Sequence, residues 1–226
     1  MKYRYLLVDN DNTLMDFSAA EHAALKETLQ AYHLPDDEET LSTYVRLNEA
    51  LWQALERGET TLDALKPERY RQLLAYLHAD TSMAAEMSKC YEAKLSTHAD
   101  LMPDAMTFMQ AVHGKMKIAL VSNGISAIQR GRLSRCPYTE LLDAVIISEE
   151  VGASKPDAAV TDAALRALQC EDKSQAVFLG DSLTADVGAA KNAEIDSIWI
   201  SLHGKTSDLP TYTVHNLMEA KDLLLG

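Results

Sequence analysis

Two carboxylates stand two positions apart near the N-terminus, Asp9 and Asp11 in the run VDNDNTL, with amides at Asn10 and Asn12 and a hydroxyl at Thr13. They follow Tyr5-Leu6-Leu7-Val8, an apolar stretch with the make-up of a buried strand. Strand side chains alternate faces, so residues two apart point the same way unless the chain has begun to turn, and both acids can reach one pocket. At about 4 Å two carboxylates repel by roughly 4 kcal/mol at an effective dielectric near 20, so the pair needs a counter-charge, a shared proton or open solvent. A solvated turn would also suit Asp and Asn. The polar residues downstream decide between the two. Ser122-Asn123-Gly124 follows IALV, Lys155 stands in SEEVGASKPD, and Asp181 and Asp186 sit in GDSLTAD after VFLG. Taken singly these are a turn, a loop lysine, and acids of a turn and a first helical turn. Independent turns have no reason to supply four carboxylates, a hydroxyl and an ammonium, each just beyond an apolar run. A divalent cation would neutralise such a set of hard oxygen donors.

The elements that must position these groups read as follows. Short apolar runs at residues 5–8, 118–121, 144–147, 176–179 and 197–200 predict five strands, separated beyond Pro103 by helical segments. Strands alternating with helices predict an α/β fold: a Rossmann-like doubly wound parallel sheet, helices on both faces, and a ligand crevice at the carboxyl ends of the strands. Residues 16–98 contain no convincing strand. Ser18-Ala19-Ala20-Glu21 has the form of a capping box, the acid run Asp36 to Glu39 reads as a charged helix start, and Tyr44, Leu47, Leu51 and Leu55 recur at helical spacing before Gly58, a C-terminal cap. The domain prediction is therefore an α/β core of residues 1–15 and 99–226, with an all-helical insertion over residues 16–98.

Totals exclude several classes. A net charge of -13 disfavours nucleic acid polymers and anionic membrane surfaces as partners, although a small anion can still bind where cations are placed locally. No apolar stretch reaches the length of a signal-peptide core or a membrane span, which predicts a cytoplasmic protein. Cys90, Cys136 and Cys170 are widely spaced and read as reduced thiols. The seven histidines lack metal-ligand spacing and read as surface or packing residues, and Trp52 and Trp199 as core. Neither GxxxxGK[ST] nor GxGxxG is present, so no nucleotide-cradling loop of those kinds is expected.

With Asp9-Asn10-Asp11-Asn12-Thr13, Ser122, Lys155, and Asp181 with Asp186 in that order, the chain resembles the haloacid dehalogenase (HAD) superfamily of phosphatases, whose four motifs these residues match. The resemblance implies that the helical insertion is a cap domain. It also implies that Asp9 is the nucleophile, Asp11 the general acid and base, Ser122, Asn123 and Lys155 phosphate ligands, and Thr13 and Asp186 supporting residues. Asp9, Asp181 and the Asp11 main-chain carbonyl would hold a magnesium ion (Mg2+). The stretches DNTLMDF, LNEALWQALERGETTLDAL, NGISAIQRGRL, ISEEVGASKPD and GDSLTADVGAAKNA are similar to the YjjG-type branch, 5'-nucleotidases of pyrimidine nucleoside monophosphates. The implied partner is a small-molecule phosphomonoester. Three positions depart from the pattern: Asn10 is polar where relatives often carry a small or apolar residue, Ser122 stands where threonine is commoner, and Glu194 stands where a helix-ending glycine is usual.

The bottom-up reading agrees with these roles, because a carboxylate nucleophile splits hydrolysis into two easier displacements through an aspartyl-phosphate. A phosphatase for sugar phosphates would share every core residue. A metal-free dehalogenase would not place an acid at Asp11. A receiver-like signalling module would be about half this length and lack both the insertion and Asp11, and a non-catalytic phosphate-binding protein on this scaffold would have little use for the whole set.

Overall fold

The computed structural model describes residues 2–202 and 204–226, so His203, one of the seven histidines, lies outside the described residues. The chain divides into two compact units, one made of the residues up to Phe17 together with Ala99–Gly226, the other of Ser18–His98. The first unit carries a parallel sheet of β1 (Tyr5–Val8), β2 (Lys117–Ser122), β3 (Ala144–Ile147), β4 (Ala176–Gly180), β5 (Asp196–Ile200) and β6 (Tyr212–Val214). The order across it is β3-β2-β1-β4-β5-β6. Chain order thus runs outward on one side of β1 and restarts beside β1 with β4, so the carboxyl ends of β1 and β4 flank the topological switch point where ligands bind in open α/β sheets. Register places Leu7 beside Ala119 and Phe178, and Val8 beside Leu120 and Leu179. Asp9 extends the pairing by one bond, its amide donating to Leu179 O at 2.9 Å.

Among the described residues, ten α-helices follow in chain order: α1 (Phe17–Ala31), α2 (Glu38–Glu56), α3 (Leu62–Tyr76), α4 (Ala84–Leu95), α5 (Ala105–Val112), α6 (Ser126–Leu133), α7 (Ser148–Val151), α8 (Ala158–Ala167), α9 (Gly188–Asn192) and α10 (Leu217–Leu225). Alternation along the strands feeds two cores. Leu6, Val8, Ile118, Leu120, Val177 and Leu179 pack with α5 and α10, while Leu7, Ala119, Val121 and Phe178 pack with α8 and α9. Burial of the sheet on both faces is why its strands read as continuous apolar runs.

The helical unit is built from α2, α3, α4 and most of α1. Asp37 caps α2, its side chain accepting from Thr40 N, as the acid run predicted. The end of α2 is closed by Gly58 at φ 72°, with Glu59 N donating to Ala54 O and Gly58 N to Leu55 O, the paired bonds of a Schellman motif. Tyr44, Tyr70 and Tyr91 meet with ring centroids 5.3 to 5.8 Å apart, and the buried Arg69 guanidinium lies 4.8 Å from the Tyr91 centroid.

Three expectations need correction. Helix α1 begins at Phe17, so Ser18 lies inside its first turn and not at the cap; Glu21 is buried and accepts from Asn48 Nδ2 at 2.8 Å. Leu47, Leu51, Trp52 and Leu55 are half-buried, leaving Tyr44 as the fully buried member of the expected stripe. A sixth strand, β6, was missed because three residues are too few to show a period. Glu194 takes the left-handed conformation at φ 59° that its position suggested, with Ile195 N donating to Ala190 O to close α9. Among the described residues, no helix is long and apolar enough to cross a membrane.

Candidate active site

The strand ends deliver the side chains. Strand β1 ends at Val8, and the chain turns at once: Asn10 O accepts from Leu14 N and Met15 N at 2.9 and 2.8 Å, with Asn12 at φ 57°. The turn separates the two acids that strand alternation would have kept together. Asp9 is buried and faces Lys155, whose Nζ donates to Asp9 Oδ1, to Asp186 Oδ1 at 2.7 Å and to Val121 O at 3.0 Å. Thr13 Oγ1 lies 3.4 Å from Asp9 Oδ2 and 3.5 Å from Asp181 Oδ1. Asp11 takes different partners, with Gln129 Nε2 donating to its Oδ2 at 2.6 Å and Arg132 Nη1 donating to its Oδ1.

Lys155 is fixed from its own backbone. Its amide donates to Asn123 Oδ1 at 2.7 Å while Asn123 Nδ2 donates to Lys155 O at 2.8 Å, so the loop after β2 holds the loop that bears the lysine. Asp186 comes from a π-helical turn over Leu183–Val187, and its Oδ2 accepts from Ser182 N at 2.9 Å. Gly180 makes room for it, because a Cβ at that glycine would stand 2.6 Å from Asp186 Cβ. Trp199 Nε1 donates to Asp181 O at 2.7 Å and anchors the chain after β4.

One carboxylate oxygen each from Asp9, Asp181 and Asp186 lies within 4.8 Å of the others. A single ammonium does not balance them. Burial raises Asp9 well above the usual carboxylate range, Lys155 opposes this, and Asp186 and Asp181 reinforce it. Burial and the Asp186 charge push Asp181 up to about 7, against the pull of Lys155. Burial alone would lower Lys155, but Asp186 and Asp9 carry it upward, so it stays an ammonium. Hard oxygen donors short of positive charge suit a hard divalent cation. Beside them, at the end of β2, the Ser122 hydroxyl is wholly buried and, among the described residues, has no hydrogen-bond partner. Unmade bonds of this kind cost about 1–3 kcal/mol, which points to a polar ligand that completes them.

The structure thus gathers Asp9, Thr13, Lys155, Asp181 and Asp186, ties Asn123 to Lys155, and holds Asp11 on α6. Sequence reasoning passed over Gln129, Arg132 and Tyr138. Gln129 and Arg132 stand three apart on one helix, the spacing that puts two side chains on one face, and both are buried although polar.

The family model of haloacid dehalogenase-like hydrolases matches residues 6–200. The chain belongs to that family. Within it, the chain is 31% identical to the pyrimidine 5'-nucleotidase PynA of Streptococcus pneumoniae, over 99% of this chain and 96% of the relative. It is 29% identical to the pyrimidine 5'-nucleotidase YjjG of Escherichia coli, over 99% of both. The crystal structure of the HAD-hydrolase YfnB of Bacillus subtilis, described as bound to magnesium and as revealing interdomain movement, superposes with a TM-score of 0.93 at 27% identity over the whole of both chains. Family membership makes the protein a hydrolase.

Proposed function

We propose that this hydrolase is a magnesium-dependent phosphomonoesterase that works through an aspartyl-phosphate and acts on pyrimidine nucleoside 5'-monophosphates. The observation that carries the chemistry is the pairing of Asp9 with Lys155 beside the unpartnered Ser122 hydroxyl, a nucleophile and anion ligands at one switch point. The substrate class rests on the names of the PynA and YjjG relatives. Asp9 attacks phosphorus, the bond from phosphorus to the nucleoside O5' breaks, and the departing oxygen takes a proton from Asp11. Water then attacks the same phosphorus, gives its proton to Asp11, and the electron pair of the breaking acyl-phosphate bond returns to Asp9. Ser122, the amides that follow it, and Lys155 bind the phosphoryl oxygens and the charge that develops there. Asp9, Asp181 and the Asp11 main-chain carbonyl would hold the magnesium ion, with Asp186 orienting its surroundings. Once bound, that ion cancels the repulsion between carboxylate and phosphate. We assign the helical unit the role of cap domain that the family resemblance implies.

Purified protein assayed with magnesium against nucleoside monophosphates and hexose phosphates tests the reading. Uridine or thymidine monophosphate should exceed the hexose phosphates in kcat/KM by at least about tenfold, and Asp9→Asn should be inert, since the nucleophile is lost. Magnesium should raise the melting temperature of the wild type and leave Asp181→Asn unmoved, because only a folded-state ligand stabilises. A preference for hexose phosphates would reject the substrate class, and an active Asp9→Asn the mechanism.

A further inference from the structure

Behind Asp11 runs a chain of buried polar groups to which neither the motifs nor the mechanism gives a role. Gln129 Nε2 donates to Asp11 Oδ2 at 2.6 Å, Asn10 Nδ2 donates to Gln129 Oε1 at 2.8 Å, and the Tyr138 hydroxyl donates to Asn10 Oδ1 at 2.5 Å. Arg132 holds the other oxygen of the same carboxylate and lies 5.6 Å from the centre of the Phe17 ring. Asn10, Gln129, Arg132 and Tyr138 are all 2% exposed or less. The direction of the chain follows from chemistry. A carboxylate only accepts, so Gln129 must turn its amide nitrogen to Asp11 and its oxygen to Asn10; Asn10 must then present nitrogen to Gln129 and oxygen to Tyr138, which is left to donate. Either amide reversed would set oxygen against oxygen in a buried place, where no water replaces the bond that is lost. The odd residue of the motif, Asn10, is thereby explained as the link between tyrosine and glutamine. Gly124 shares in the arrangement, since a Cβ there would come within 2.9 Å of the Gln129 side chain.

We infer that Gln129 and Arg132 are positioning residues that hold the Asp11 carboxylate by both oxygens in one orientation, and that Asn10 and Tyr138 fix the sense in which Gln129 presents its amide. The inference rests on the proposed role of Asp11 as acid and base. Each carboxylate oxygen has two acceptor sites, so one on each stays open for the leaving group or water. Mere neutralisation would need Arg132 alone. A directed chain through three further residues restrains rotation, which matters because a misplacement of about 1 Å can cost a hundredfold in rate.

Gln129→Leu, which keeps the bulk and removes the amide, is to be assayed with magnesium on uridine monophosphate and on p-nitrophenyl phosphate. Expected are a fall in kcat on the nucleotide of at least about tenfold, as part of the usual acid-base contribution, and a KM within about twofold. With p-nitrophenyl phosphate, whose leaving group needs no acid, rapid mixing should show a burst of one equivalent of nitrophenol, because the second displacement still needs Asp11. A kcat within twofold of wild type, or equal losses on both substrates without a burst, would overturn the inference. If circular dichroism shows Gln129→Leu unfolded, Arg132→Lys, which keeps the charge and loses the planar fork, carries the same expectations. Asp9→Asn in the same assay separates the two readings. If it turns over, the proposed function fails; if it is inert while the Gln129 and Arg132 variants behave as wild type, only the positioning role fails.

Discussion

Gly180→Ala is the most telling change to make at the sheet edge. Its backbone needs no glycine, as the left-handed conformation is confined to other positions, so the effect is one of contact alone. The added Cβ would lie 2.6 Å from Asp186 Cβ, with the carboxylate atoms closer still, whereas carbon atoms rest about 3.5–4.0 Å apart. Asp186 must swing away. It then gives up its bond from Ser182 N at 2.9 Å and its ion pair with Lys155 at 2.7 Å. Hydrogen bonds to charged groups contribute about 1.5–3 kcal/mol each, so two give about 3–6 kcal/mol. Lys155 keeps Asp9 as a partner, and Asp9 and Asp181 are relieved of the Asp186 charge, so the loss does not reach the top of that range. Denaturant unfolding should therefore show a loss of about 3–5 kcal/mol with an unchanged slope. In an Asp186→Gly background the same alanine should cost less than about 1 kcal/mol, since the colliding side chain is gone and the pair is already broken. A loss under about 1 kcal/mol in the wild-type background would refute the packing of Asp186 over Gly180.

Three further changes address the frame. Glu194 is exposed and left-handed at φ 59°, so Glu194→Gly should stabilise by about 0.5–1 kcal/mol in the same unfolding assay, while Gly58→Ala, whose Cβ meets nothing within 4 Å, should destabilise by about 1 kcal/mol. Burial alone would raise Asp196, but hydrogen bonds from Lys2 at 2.7 Å and Tyr3 at 2.6 Å outweigh it and leave the carboxyl below its usual range. A carboxyl depressed by folding stabilises above its unfolded pKa, and that contribution is lost as pH falls through the folded value. Tyr3→Phe should thus cost about 1–2 kcal/mol at pH 7, a penalty that shrinks below about pH 4 in unfolding measured across pH.

The groups legible in the sequence were those whose position follows from being next to a strand. Asp9 and Asp181 stand just after an apolar run and Ser122 ends one, and a parallel sheet brings such positions together whatever the crossovers do, while Lys155 follows its strand only after the short helix α7. Periodicity likewise revealed the helical segment and five of six strands, and failed at β6 because three residues carry no period. What it could not reveal was a side chain whose meaning depends on a partner more than a hundred residues away. Asn10 and Gln129 are 119 residues apart and Asn10 and Tyr138 are 128 apart, and neither pairing leaves a local mark.

The turn after Val8 has the same character. Alternation predicted Asp9 and Asp11 in one pocket, with repulsion to be relieved by a shared counter-charge. The chain relieves it differently. Asn10 O collects amide bonds from Thr13, Leu14 and Met15 and bends the backbone, so Asp9 meets Lys155, which it shares with Asp186, and Asp11 meets Arg132. Separate partners suit the separate tasks proposed for them: Asp9 lies among the other carboxylates, where a cation would ready it as a nucleophile, while Asp11 is held from α6 by Gln129 and Arg132. A division of labour between nucleophile and acid needs environments that differ. The two-residue spacing of the motif and the polar face of α6 are in this sense one device.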